Sequence, residues 1–63
     1  MIQALLKSRK ELEEKYNSLI ASGDAAMKGE KYDDAISDFE EASALKSNED
    51  YPKKQIMKAK ELS

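Results

Sequence analysis

Cysteine and histidine are both missing from this chain. Their absence excludes disulfide staples and removes the commonest metal ligands, so neither a metal site nor a cofactor is expected. It also removes the usual partners of an activated nucleophile, and three thin helices cannot enclose a cavity of a few hundred Å³; the chain is not expected to be an enzyme. Missing cysteine suits an oxidising or a reducing compartment equally, and the compartment stays unassigned. A long apolar run is lacking too: no stretch approaches about 18 residues, so membrane insertion is not expected. The apolar N-terminus is broken by Gln3 and stops at Lys7, which does not fit a signal peptide. There is one proline, Pro52, and there are two glycines, Gly23 and Gly29.

What remains is a single small domain of 63 residues. Chains of about 60 residues bury only about 60% of the surface that their unfolded form exposes and are marginal alone. With disulfides and metals excluded, the remaining remedies are oligomerisation or membership of a larger chain. The abrupt end at Ser63 adds to the expectation of an excised segment.

The net charge of −2 is unevenly distributed. Residues 1–20 sum to +1, residues 21–50 to −6 and residues 51–63 to +3. An acidic middle argues against nucleic acid, which requires a basic stripe interleaved with aromatics. The basic C-terminal segment is expected to face the acidic second helix or solvent. Asp33, Asp34, Asp38, Glu40 and Glu41 lack the alternate-ligand spacing and turn glycine of a calcium loop and read as a solvated helix face.

Apolar periodicity predicts an all-α fold of three helices. The first covers about residues 2–28: Ile2, Leu5, Arg9, Leu12, Tyr16, Leu19, Gly23 and Ala26 recur in steps of three and four, a heptad-like stripe that no proline interrupts. Gly29 is the expected stop, through a left-handed backbone conformation. The second helix covers about 31–46, with Tyr32, Ala35, Ile36, Phe39, Ala42 and Leu45 on one face. Asp33 and Asp34 in its first turn and Lys46 in its last suit the helix dipole. Ser47-Asn48-Glu49-Asp50 is a polar connection with Asn48 as a candidate cap. The third helix covers about 51–62, with Pro52 in its first turn and Ile56, Ala59 and Leu62 as a narrow apolar stripe edged by Met57. The tyrosines and Phe39 are expected to serve packing first.

The register Gly23, Tyr32, Ala35, Phe39, Ala42 resembles the tetratricopeptide repeat, a helix–turn–helix unit of about 34 residues patterned W-x₂-L-G-x₂-Y, A-x₃-F, P. Gly23, Ala35 and Phe39 match. Leu19 stands at the tryptophan, Ser22 at the leucine, Ala26 at the tyrosine and Ser47 at the proline. The resemblance covers about half the chain and divides it into an N-terminal coiled-coil-like extension, 1–15, and one repeat-like unit with a capping helix, 16–63. It implies a non-catalytic protein–protein interaction or scaffold role. In that family the first helix of each repeat lines a peptide-binding groove, which by register implies Asn17, Ile20, Ala21, Asp24, Met27 and Lys28. Ile20 and Asp24 stand where a clamp for C-terminal carboxylates would need Lys and Asn, so that activity is not implied. The segment from Tyr32 to Ala42 is also similar to the core of the three-helix microtubule-interacting-and-trafficking domains, which bind amphipathic peptide helices; Glu30 replaces their glycine, and their third helix is about as long as the others.

The second helix is too short to cover the first. Ile2, Leu5, Leu6 and Leu12 therefore form an overhanging apolar stripe, and such stripes get buried. The expected partner is a protein or peptide: a second copy, giving a homo-oligomer with Arg9 in the seam, or another part of a larger chain.

Overall fold

The computed structural model describes the backbone of residues 2–63 and the side chains of residues 9–63. It is all-α: α1 spans Ile2–Lys28, α2 Tyr32–Leu45 and α3 Asp50–Leu62. α2 is the middle element and packs on both α1 and α3. α3 has 13 residues against 14 in α2. With 27 residues in α1, α3 is not about as long as the other two helices, as the microtubule-interacting-and-trafficking resemblance required.

α1 matches the periodic pattern, whereas both ends of α2 and the start of α3 differ from it by one residue, and backbone angles show why. Lys31 (φ −93°, ψ 72°) and Lys46 (φ −132°, ψ 82°) lie outside helical geometry, so α2 starts after the first and ends before the second. Glu49 is extended and precedes α3 without any side-chain capping bond, so Asn48 does not cap it.

The α1–α2 turn is closed by backbone bonds from Glu30 N–H to the Met27 carbonyl (3.1 Å) and from Lys31 N–H to the Ala26 carbonyl (2.8 Å). Such a closure needs one left-handed residue. That residue is Glu30 (φ 61°), not the expected Gly29. A side chain in this conformation costs about 1 kcal/mol or more. Glu30→Gly should therefore stabilise the domain by about 1 kcal/mol, raising Tm by roughly 5 °C for a chain this small. A thermal melt showing no rise would mean that the turn relaxes in solution.

The core is thin and made mostly of small residues. Ala35, Phe39, Ala42 and Ala59 have 0% exposure and Tyr16 has 9%. Gly23 and Pro52 are buried with them. Phe39 is the one large side chain at the centre, and it sits on Gly23. An added Cβ there would lie 2.7–2.9 Å from three ring carbons, closer than real contacts allow. α1 and α2 thus approach closely because α1 presents a bare backbone to an aromatic ring. Tyr51 of α3 meets Phe39 in an edge-to-face arrangement, at 6.2 Å and 79°. Lys46, just past α2, holds its ammonium 4.8 Å from the Tyr16 ring centre and ties the end of α2 to α1.

Candidate functional site

The six residues implied by the repeat resemblance lie along one side of α1. Asn17, Ala21 and Lys28 are exposed, whereas Ile20, Asp24 and Met27 are half-buried. α3 already engages this side, because the Tyr51 hydroxyl donates to Asp24 Oδ1 at 2.8 Å. Gln55, one turn along α3, donates weakly to the same hydroxyl at 3.4 Å. Asp24 is thus a bridge to α3 within the domain, and the free part of this face is Asn17, Ala21 and Lys28 with the flanks of Ile20 and Met27.

Tyr51, expected to pack in the core, is 45% exposed. Its ring covers Phe39 while its hydroxyl reaches the edge. The bond to Asp24, partial burial and the nearby Asp24 charge together raise its pKa above the ordinary 10.0. Burial, then the charge of Glu49, raises that of Tyr16 as well. The fold therefore holds the neutral phenols more strongly than the unfolded chain does. Their contribution is fully present below pH 10 and is lost as pH rises through the folded values. Unfolding midpoints should fall above about pH 10. Tyr51→Phe should cost about 0.5–1 kcal/mol near neutrality and flatten that alkaline decline. A midpoint unchanged from neutral pH into the alkaline range would contradict this.

Two grooves open on the other side of the hairpin, where the sequence indicated no site. Ser22 and Ala26 are each two positions from Asp24, hence on the far side of α1 from the bond to α3. The larger groove, ≈ 510 Å³, runs between Ser22, Ala25 and Ala26 of α1 and Asp34, Ser37 and Asp38 of α2. Ser22 Oγ donates to Asp38 Oδ2 at 2.7 Å across it. The smaller, ≈ 200 Å³, continues the same seam between Lys15 and Leu19 of α1 and Glu41, Ala44 and Leu45 of α2. Both are open to solvent and neither is an enclosed cavity. The signal that could have found them is the row of small residues Ser22, Ala25, Ala26 and Gly29, which leaves room beside the close α1–α2 contact.

Of the expected overhang, Leu12 is 38% exposed. Every residue from Arg9 to Lys15 is exposed, and Tyr16 is the first buried side chain among those described. The side chains of Ile2, Leu5 and Leu6 lie outside the described residues. Leu62, expected on the inward stripe of α3, is the last residue of that helix and is 53% exposed. Met57 is 65% exposed.

Among the described residues no cluster of three carboxylates is placed to hold a metal ion. No described helix is long and apolar enough to cross a membrane. Comparisons with protein-family profiles, with curated proteins and with solved structures found nothing that matches this chain.

Proposed function

We propose that this chain is a non-catalytic protein–protein interaction module, a helical hairpin of tetratricopeptide-like pattern closed by α3. The observation that carries this reading is the ratio of frame to face. A few small residues and one phenylalanine hold the helices, while the α1 face at Asn17, Ala21 and Lys28 stays exposed beside half-buried Ile20 and Met27. Mixed apolar and polar side chains on a rigid helix are suited to recognising another protein. Enzymatic chemistry would need an enclosed, desolvated group, and the concavities here are open. The test places a photo-crosslinking residue singly at Ala21, Lys28 and, as a control, exposed Glu40 of α2, in the intact protein in its own cell. A discrete protein adduct from the two α1 positions and not from Glu40 is expected. No adduct, or identical adducts from all three, would refute the assignment of this face.

The exposure of the whole segment from Arg9 to Lys15, with Leu12 in it, favours a second reading in which the N-terminal half of α1 pairs with another copy. Leu5→Glu with Leu12→Glu should then yield a monomer in sedimentation. An unchanged mass would sink this reading.

A further inference from the structure

The seam between α1 and α2 that faces away from α3 and the outer face of α3 are complementary in length, shape and charge, and we propose that they bind each other between copies of this chain, head to tail. The proposal concerns a face other than the one assigned above and stands or falls separately from it.

Length is the first correspondence. The seam runs from Lys15 to Gly29 along α1. At 1.5 Å per residue that is about 21 Å, and the 13-residue α3 is about 20 Å long. Shape is the second. Ser22, Ala25, Ala26 and Ser37 keep the larger groove shallow-walled enough for a helix to lie close. The smaller groove adds an apolar lobe from Leu19, Ala44 and Leu45. The outer face of α3 carries an apolar side chain to set against that lobe, Met57, at 65% exposure.

Charge is the third, and it fixes the occupant. Along the seam, Lys15 and Lys31 stand at the two ends, with Glu41, Asp38 and Asp34 between them. Along α3 the order is inverted. Asp50 and Glu61 stand at the ends, and Lys54 and Lys60 lie between them within a turn of Met57. All five of these α3 residues, Met57 included, are exposed. A plus–minus–plus seam against a minus–plus–minus helix favours one pairing and disfavours seam-to-seam or helix-to-helix contact. No residue belongs to both surfaces. The contact is therefore heterologous, and each copy that docks its α3 leaves its own seam open for the next, so growth continues beyond the dimer.

The test is sedimentation velocity of the whole chain up to about 1 mM, a range that reaches weak contacts, at roughly 0.05 M and 0.5 M salt. At low salt the weight-average mass should climb past that of a dimer with concentration and fall back at high salt. Lys54→Glu with Lys60→Glu, and separately Asp34→Lys with Glu41→Lys, should each abolish association while retaining the helical circular dichroism of the parent. An equimolar mixture of the two variants should restore it, because each then offers the surface that complements the other. A wild-type monomer throughout, reversed variants that associate as well as the parent, or a mixture that stays monomeric would each overturn the proposal. Association abolished by Leu12→Glu but untouched by both reversals would assign assembly to the overhang instead.

Discussion

Phe39→Ala should leave the domain largely unfolded at room temperature. The ring is the largest side chain with no exposure, and it touches all three helices: Gly23 on α1, its own neighbours on α2 and Tyr51 on α3. Truncating a buried phenylalanine to alanine costs about 3–5 kcal/mol. A small domain of this size has only about 3–9 kcal/mol in total. Ala35, Ala42 and Ala59 have no side-chain atoms to spare for the space, and Tyr51 is held at its hydroxyl by Asp24. The helical signal of Phe39→Ala should therefore be mostly lost at 25 °C, whereas Phe39→Leu should fold with a lowered midpoint. A Phe39→Ala variant with the parent's cooperative melt would show that the stability resides elsewhere.

Gly23→Ala should also destabilise, against its local propensity. In an exposed helix interior the change from glycine to alanine gains about 1 kcal/mol. Here the new methyl would meet three carbons of Phe39 at 2.7–2.9 Å. Tyr51 stands 6.2 Å from the ring, centre to centre, and limits how far it can move aside. Overpacking of this kind costs about 1–3 kcal/mol or more, and α1 must move outward to relieve it. The net expectation is a loss of up to about 2 kcal/mol by chemical denaturation. A gain would mean that the helices sit further apart than described. The same substitution has a functional consequence, because the groove between Ser22 and Asp38 is set by that separation.

Much of the fold was legible in the sequence, and the particular residues show why. α1 and α2 were readable because step-three and step-four apolar spacing is a property of one helix at a time. The small residues Gly23, Ala35 and Ala42, with Phe39 among them, also indicated which faces meet. The turn was placed correctly, but its left-handed residue was not. Glycine is the usual occupant, yet the bonds to Ala26 and Met27 put Glu30 at that position. Leu62 read as core because it continues a stripe, but it is the last residue of α3 and lies exposed at the helix end. The links between helices, Tyr51 to Asp24, Ser22 to Asp38 and Lys46 over Tyr16, join residues 16 or more positions apart. No periodic pattern encodes such pairs. For the same reason the implied face on α1 could be named by register, while its sharing with α3 and the grooves on the opposite side could not.

Every surface described here depends on how closely α1 and α2 approach, and that approach rests on the Phe39 ring over Gly23. A double-mutant cycle tests this most directly, using Gly23→Ala, Phe39→Leu and the pair, each measured by urea denaturation. Gly23→Ala should destabilise the parent but be neutral or stabilising beside Phe39→Leu, with a coupling of about 1–3 kcal/mol between the two positions. Equal effects of Gly23→Ala in both backgrounds would mean that the two residues do not meet, and would contradict the hairpin on which the interaction surfaces are built.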